Sequence, residues 1–306
     1  MSEASAKKRL IVIGGATATG KSKLAIRLAR HFDTEILSAD SRQFYKGLDI
    51  GTAKPEPNEL ALVRHHFVDF LEPDATFSVG DFEMQALEIL KNIFQKKDYA
   101  ILAGGSGFYI KAVCEGLDDF PEVPKKIREE LEMQFQNEGL APLREELKMK
   151  DPATFQKIDL NNPARFIRAL SVIRASRMPF SAFQGRQKPL RFFQPVYILL
   201  ELPRTELYAR IDSRVDEMIV KGLVGEARKF YSYKNCQALQ TVGYQELFDW
   251  MDEKMTLPEA IEKIKQHSRN YAKRQATWFK KYGNWTSFHP EDFENILQYI
   301  EEKLKT

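Results

Sequence analysis

Near its N-terminus the chain reads Leu10-Ile11-Val12-Ile13, then Gly15-Ala16-Thr17-Ala18-Thr19-Gly20-Lys21-Ser22, and then the helix-like segment Lys23-Leu24-Ala25-Ile26-Arg27-Leu28-Ala29. A glycine-rich turn between a buried strand and a helix points backbone N–H groups and the helix N-terminus at an anion. The pattern GxxxxGK[ST] in this setting predicts a phosphate-binding loop formed by residues 15–22, in which Lys21 adds a positive charge and Ser22 offers a hydroxyl group to Mg²⁺. The motif alone leaves open which phosphates the loop holds.

The composition is typical of a globular protein with one large domain and an insertion, or with two domains. The chain has 306 residues, of which 43% are hydrophobic, enough for a sizeable core. It contains no run of about 18 apolar residues, and Met1 to Arg9 is short, polar and basic, unlike a signal peptide. We therefore expect a soluble, cytoplasmic protein with no membrane partner. Cys114 and Cys236 lie far apart in the sequence, which predicts packing thiols and no cysteine-rich metal site.

The net charge of +3 is distributed unevenly. Between Lys263 and Pro290 there is no Asp or Glu, while seven lysines and arginines lie there, so +3 minus +7 leaves −4 for the rest of the chain. Tyr271, Trp278 and other aromatic residues are interleaved with these bases. This mixture is typical of a surface that binds a polyanion with stackable rings. The alternative is an amphipathic helix whose aromatic residues face the core and whose bases face water.

The first 117 residues alternate between strand-like and helix-like segments. Glu35–Ala39 and Tyr99–Ala103 have the character of buried strands, Arg64–Phe70 could be a further strand, and Val79–Phe94 has helical apolar spacing. This alternation predicts an α/β fold, in which a parallel sheet carries helices on both faces. Because ligands gather at the carboxyl ends of the strands in such sheets, Asp40 and Ser106, together with the residues around them, become candidates for the site.

The sequence pattern changes at Asp118 from alternating strands and helices to a proline-containing, charged segment. Two prolines are followed by the charged, helix-rich segment Lys125–Lys150, and Asn162 caps a helix that begins near Ala164. A strand at Val196–Leu200 is expected to return to the sheet, with one last short strand near Phe288. The predicted organisation is a phosphate-loop core in residues 1–118, a helical insertion in 119–185, and the rest of the core with a basic helical C-terminal part in 186–306.

Asp40 follows a strand and could therefore lie beside the phosphate-binding loop. In a nucleoside kinase such an acid would accept a proton from a substrate hydroxyl group, and in another transferase it could accept one from an amine. A purely structural role, capping the turn into the next segment, is the alternative.

Eight segments, in order along essentially the whole chain, carry a resemblance to a known family: Gly15–Ser22, Ser38–Gln43, Asp49–Pro55, Gly104–Tyr109, Asn162–Leu170, Arg210–Met218, Val242–Tyr244 and Tyr271–Phe279. Together they resemble the tRNA dimethylallyltransferases, also called tRNA isopentenyltransferases. The lack of a C-terminal Cys/His zinc finger is similar to the bacterial type of the family.

The resemblance implies transfer of a dimethylallyl group from dimethylallyl diphosphate to the N6 amine of adenosine 37 in tRNA. The loop would then hold a diphosphate leaving group and Mg²⁺. The catalytic residues that the resemblance implies are Asp40 as general base, Thr17 beside the dimethylallyl group and Arg214 at the diphosphate. Ser22 and Ser106 stand where many members have threonine. A surface salt bridge from Arg214 to Asp212 or Asp216 is the alternative for the arginine.

The resemblance also implies that the target base is extruded from the anticodon loop, that the insertion acts as a clamp over the anticodon stem, and that the protein is a monomer. It places the following residues in contact with the tRNA anticodon stem-loop: Asp40, Ser41, Arg42, Gln43, Ser106, Arg128, Ala164, Arg165, Phe166, Ile167, Arg168, Gln240, Thr241, Val242, Gly243, Tyr244, Gln245, Lys273, Arg274, Gln275, Ala276, Thr277, Trp278, Phe279 and Lys280.

Three other functions use the same loop. A nucleoside kinase would bind ATP there and would need no acid-free C-terminal region. An adenylate isopentenyltransferase would prenylate free AMP, ADP or ATP, and the segment Lys273–Trp278 speaks against it. A non-catalytic RNA-binding switch would leave the pairing of Asp40 with Arg214 unexplained.

Overall fold

The structure is a computed structural model that describes residues 8–185 and 189–305. The strands within these residues form one sheet of six, all parallel, in the order β3-β2-β4-β1-β5-β6. They are β1 (Arg9–Gly15), β2 (Ile36–Ser38), β3 (His65–His66), β4 (Tyr99–Ala103), β5 (Gln194–Leu200) and β6 (Thr286–Phe288).

The helices surround this sheet or form a separate bundle. They are α1 (Lys21–His31), α2 (Pro57–Leu62), α3 (Val79–Phe94), α4 (Gly107–Glu115), α5 (Lys125–Glu138), α6 (Ala141–Lys150), α7 (Pro152–Phe155), α8 (Pro163–Ser176), α9 (Arg204–Val220), α10 (Leu223–Lys229), α11 (Tyr244–Met251), α12 (Leu257–Lys281) and α13 (Phe293–Lys305).

The centre of the sheet is β1, which lies between β4 and β5 and is buried along its whole length. Successive side chains of a strand point to opposite faces. Accordingly, Leu10 and Val12 belong to one core cluster, with residues of α3 and α12, while Ile11 and Ile13 belong to another, with residues of α1 and α13. A strand buried on both faces needs a continuous apolar run. The predicted α/β fold with helices on both faces is confirmed.

The segment predicted as a strand at Arg64–Phe70 is extended only at His65–His66, so that prediction was too long. The backbone φ of Phe67 is 62° and that of Asp69 is 57°. Both angles lie in the left-handed region, which cannot continue a β ladder. The strands predicted at Val196–Leu200 and near Phe288 correspond to β5 and β6. As expected, both join the sheet: β5 pairs with β1, and β6 pairs with β5 at the edge.

The chain forms two compact units, Met1–Glu115 with Leu190–Thr306, and Gly116–Pro189. The second unit contains α5 to α8, which pack around a core of their own that includes Leu131, Leu147 and Phe166. The predicted insertion, 119–185, lies within this unit. Its predicted end adjoins residues 186–188, which lie outside the described residues, as does most of the N-terminal segment Met1–Arg9.

No helix in the described part of the chain is both long and apolar enough to cross a membrane. Both cysteines are free thiols, and burial raises the pKa of the Cys114 thiol to about 12. This environment fits the predicted packing role of Cys114.

Candidate active site at the carboxyl end of the sheet

The predicted phosphate-binding loop connects β1 to α1. Its backbone is left-handed at Ala18 and Gly20, and a Cβ atom on Gly15 would lie 2.8 Å from the carbonyl oxygen of Leu200, so only glycine fits there. The Lys21 ammonium donates to the carbonyl oxygen of Ala16 over 2.6 Å. No side chain caps the N-terminus of α1. Its first N–H groups are therefore not used by a side-chain cap and are available to bind an anion.

Three charged side chains meet next to this loop. Burial lowers the pKa of Lys21 to about 8, an effect that nearby Asp40 opposes and Arg214 reinforces. Burial also lowers the pKa of Arg214, against the opposing charges of Asp40 and Glu217. Two partly desolvated cations beside one carboxylate make a site that favours additional negative charge.

Arg214 lies on α9 and points toward the phosphate-binding loop, where its Nη1 donates to the Thr17 hydroxyl over 3.3 Å. The alternative of a surface salt bridge is not seen among the described residues. Asp212 instead pairs with Arg269, and Asp216 pairs with Lys265, both on α12. Because these two acids pair with residues of α12, they do not neutralise the guanidinium of Arg214, which contacts the phosphate-binding loop.

The three predicted catalytic residues Thr17, Asp40 and Arg214 line one cavity of about 190 Å³. Much of its wall is apolar, and Tyr271 contributes a hydroxyl group whose pKa burial raises to about 12. The apolar lining residues are Ile211, Val215, Met218, Val242 and Ile264. A larger cavity of about 660 Å³ adjoins it and shares Arg214 and Met218 with it. The site thus combines a phosphate-binding loop with a cavity whose lining is partly apolar and partly polar.

The ends of β2 and β4 bring together two further predicted site residues. The backbone N–H of Ser41 donates to the hydroxyl group of Ser106 over 3.3 Å, and the N–H of Ser106 donates to the carbonyl oxygen of Ala39 over 3.1 Å. A Cβ atom on Gly104 would lie 2.1 Å from that same carbonyl oxygen. The Gly104–Gly107 segment therefore allows the two strand ends to meet, and Ser106 lies near Asp40 as expected.

Helix α12 packs directly on this glycine-rich segment. Gln275 is only 7% exposed; its amide oxygen accepts from the N–H of Thr17 and its amide nitrogen donates to the carbonyl oxygen of Gly105, both over 2.9 Å. A Cβ atom on Gly107 would lie 2.2 Å from the ring of Trp278. The structure thus buries the Gln275 side chain against the phosphate-binding loop, and the predicted contact of Gln275 with tRNA stays a prediction.

Other residues predicted to contact tRNA also have buried side chains. Phe166, Tyr244 and Phe279 are at most 2% exposed and belong to the cores of their units, and their predicted contacts with RNA stay predictions. Gln43 is buried, bonded to Ser38 and to backbone carbonyl groups. The predicted contact residues that are exposed are Arg128, Ala164, Arg165, Arg168, Gln240, Gln245, Lys273, Arg274, Thr277 and Lys280.

The basic stretch of α12 divides into two faces. Lys265 and Arg269 are neutralised by the acids of α9, whereas Lys273, Arg274 and Lys280 are exposed. The aromatic residues of the helix are buried or half-buried. As in the amphipathic alternative, the aromatic residues face the core. The exposed cations that could contact a polyanion are fewer than the seven counted in the sequence.

Glu226 was missed by the sequence analysis. This carboxylate on α10 is 8% exposed and accepts from three successive backbone N–H groups and from the hydroxyl group of Tyr244. The one available signal was an acidic residue next to the buried positions Leu223 and Ala227 of a short helix.

A parallel α/β sheet with a phosphate-binding loop at the end of its central strand, flanked by an acid, an arginine and a partly apolar cavity, is typical of the P-loop class of phosphate-binding proteins. The IPP transferase family model matches residues 43–282. The chain belongs to this IPP transferase family.

Relatives and solved structures agree. A tRNA dimethylallyltransferase of Christiangramia forsetii is 47% identical over 97% of this chain and 99% of its own length, and one of Cytophaga hutchinsonii is 45% identical over 97% and 98%. A tRNA isopentenylpyrophosphate transferase from Bacillus halodurans has a TM-score of 0.73 and 37% identity, covering 98% of this chain and 97% of that one. A eukaryotic dimethylallyltransferase acting on tRNA has a TM-score of 0.80 and 25% identity, covering 97% and 77%. These matches favour the tRNA enzymes over the kinase and adenylate alternatives.

Proposed function

We propose that this protein transfers a dimethylallyl group from dimethylallyl diphosphate to the N6 amine of adenosine 37 in tRNA. The names of its relatives support the reaction class. The observation that carries the proposal is the convergence of Thr17, Asp40 and Arg214 on one cavity that has an apolar patch of five side chains beside these polar groups. A prenyl diphosphate has the same two parts, a polyanion and a hydrocarbon.

The diphosphate would lie in the phosphate-binding loop. As the bond between the allylic carbon and oxygen breaks, its electron pair leaves with the diphosphate, and negative charge grows there. Two kinds of group would stabilise that charge: the backbone N–H donors at the start of α1, and the cations Lys21 and Arg214. Because these groups are largely desolvated, each interaction is stronger than it would be in water.

Asp40 would receive the proton. The adenine N6 amine is a weak nucleophile because its lone pair is delocalised into the ring. When the new carbon–nitrogen bond forms, the nitrogen must shed a proton, and the Asp40 carboxylate lines the same cavity as Thr17 and Arg214. One oxygen of Asp40 accepts from the N–H of Arg42 over 3.1 Å, which orients the carboxylate.

The residues beside the loop fit a Mg²⁺ ion. A small cavity next to the loop is lined by Lys21, Ser22 and Asp40, so hydroxyl and carboxylate oxygens are at hand. In the described part of the chain no group of three His, Cys, Asp or Glu could form a protein-only metal site. Mg²⁺ is commonly held by few protein ligands together with phosphates, so Ser22 and the diphosphate would hold it. When bound, the ion would neutralise charge on the leaving group.

The anticodon stem-loop of the tRNA would contact exposed cations in each unit. On α12 these are Lys273, Arg274 and Lys280. In the second unit, Arg168 lines a cavity of about 440 Å³. Burial and the nearby charge of Arg128 lower the pKa of Arg168. Arg128, whose guanidinium pairs with Glu132 over 2.8 Å, and Arg168 would together attract RNA phosphates.

A transfer assay tests the proposal. The protein is incubated with Mg²⁺, labelled dimethylallyl diphosphate and either an unmodified tRNA with consecutive adenosines after the anticodon or free AMP. Label is expected in the tRNA; label in AMP and not in tRNA would overturn the proposal.

Asp40→Ala should lower the rate of transfer by roughly 10²- to 10⁴-fold, the range for loss of a general base, with tRNA affinity retained. Asp98→Asn, at an exposed acid paired with Lys8, is the control. Full activity of the Asp40 variant would remove Asp40 from the role of base.

A further inference from the structure

The segment Asp49–Lys54, called the 49–54 loop below, forms walls of both cavities of the site. Gly51 and Thr52 line the cavity of about 190 Å³ that contains Asp40. Asp49, Ile50, Ala53 and Lys54 line the cavity of about 660 Å³ beside it. The position of this loop therefore sets the shape of the chamber in which the proposed transfer takes place.

Glu226 holds the first half of the 49–54 loop from behind. One carboxylate oxygen accepts from the N–H groups of Asp49 and Ile50, each over 2.9 Å, and the other accepts from the N–H of Gly51 over 2.9 Å. Three successive N–H groups that converge in this way form an anion-binding nest. Here the anion is a side chain of the protein, and it does not line either cavity.

The second half of the loop is held from the other side. The amide nitrogen of Gln43 donates to the carbonyl oxygen of Ala53 over 3.1 Å and approaches that of Thr52 at 3.4 Å. Tyr244 completes the arrangement: its hydroxyl group donates to Glu226 over 2.6 Å, and a Cβ atom on Gly51 would lie 2.6 Å from its ring. The backbone of the loop is thus tied to buried side chains on both sides.

We propose that Glu226 is a positioning residue for dimethylallyl transfer, acting through the 49–54 loop to hold Gly51 and Thr52 against the chamber of Asp40 and Arg214. This inference rests on the proposed function. A carboxylate accepts at both oxygens and can take all four donors, whereas an amide has only one acceptor oxygen. The requirement at position 226 is therefore for a carboxylate, not merely for a polar side chain of that size.

Glu226→Gln is the test because the variant keeps the volume of the side chain. Its amide nitrogen would leave at least one N–H group of the loop without an acceptor, and losing a hydrogen bond to a charged group corresponds to roughly a tenfold effect. We expect kcat to fall about tenfold, while the Kd for inorganic diphosphate at the phosphate-binding loop changes by less than about twofold.

Two variants serve as controls. Glu83→Gln removes another largely buried carboxylate of the same unit, one that pairs with Arg191 away from both cavities, and should lower the melting temperature without changing kcat. Tyr244→Phe removes only the fourth donor and keeps the ring against Gly51, so its kcat should fall less than that of Glu226→Gln. Equal kcat losses in the Glu83 and Glu226 variants would reduce the role of Glu226 to general stability and overturn the proposal.

Hydrogen–deuterium exchange gives a readout independent of activity. The amides of residues 49–51 should exchange faster in Glu226→Gln than in the wild type, with exchange elsewhere unchanged. Unchanged exchange there, or unchanged kcat, would overturn the proposal. A wild-type protein that transfers no dimethylallyl group would overturn the proposed function and the catalytic role with it. The exchange rates would still decide whether Glu226 holds the loop.

Discussion

Gln275 on α12 accepts a hydrogen bond from the backbone N–H of Thr17 in the phosphate-binding loop, over 2.9 Å. The same amide donates to the carbonyl oxygen of Gly105 after β4. On either side of Gln275 along the helix, Arg274 and Thr277 are exposed to solvent. One buried side chain therefore connects the helix that carries exposed cations to the phosphate-binding loop.

Gln275→Ala should weaken diphosphate binding. The substitution leaves the N–H of Thr17 and the carbonyl of Gly105 without their partner inside the protein, a cost of about 1–3 kcal/mol per buried group. We expect an affinity for inorganic diphosphate at least about tenfold weaker, measured by calorimetry. Gln298→Ala, at an exposed glutamine of α13 that bonds Glu302, is the control and should bind as the wild type does. Equal affinities of wild type and Gln275→Ala would show that the loop holds its shape without this bond.

The lowered pKa of Lys21, about 8, predicts a pH dependence of diphosphate binding. Bound diphosphate favours the charged ammonium, so binding must take up a proton once the free protein has lost it, that is, as the pH rises through about 8. Affinity should then fall by up to about tenfold per pH unit. Calorimetric titrations without Mg²⁺ between pH 7 and 9.5 measure this effect.

Lys21→Arg stays charged throughout this range and corrects for the titration of diphosphate itself. The ratio of the wild-type Kd to the variant Kd should rise above pH 8. A constant ratio would contradict the lowered pKa.

Gly107→Ala should destabilise the protein, because its Cβ atom would lie 2.2 Å from the ring of Trp278. Inserting an atom into a tightly packed contact costs about 1–3 kcal/mol, measured as the free energy of unfolding in urea. Gly80→Ala is the matched control in α3, where the nearest atom is 3.6 Å away. Since alanine favours helix, this variant should be slightly more stable than the wild type. Equal stability of the two variants would show that the Trp278 ring moves to accommodate the added methyl group at little cost in free energy.

The exposed pair Lys273 and Arg274 should contribute to tRNA affinity through phosphate contacts. Replacing both by alanine is expected to weaken binding of an anticodon stem-loop and to lower the slope of log K against log salt by up to about two, one for each phosphate contact. The control replaces Lys91 and Lys96, two exposed lysines at the C-terminal end of α3 and just beyond it. An unchanged salt slope in the α12 variant would place the RNA on another surface.

Local pattern accounts for what could be predicted of the fold. The strand, glycine turn and helix around Gly15–Ser22 are neighbours in sequence, and their chemistry depends on backbone groups that this spacing presents. The predicted strand Arg64–Phe70 was too long because β3 ends at His66. The left-handed backbone at Phe67 and Asp69 that ends it has no recognisable pattern in the sequence.

Local spacing and a motif were enough to predict the parallel sheet, the phosphate-binding loop and the candidate Asp40, while the resemblance to a known family implied Arg214. The direction in which Arg214 points becomes visible only after folding, since it depends on the acids of α9 pairing with Lys265 and Arg269. The tertiary structure also decided that Gln275 and Glu226 hold loops of the site instead of facing solvent. The physical reason is that each of these choices is a contact between residues distant in the chain, where the donors, charges and space that settle it exist only after folding.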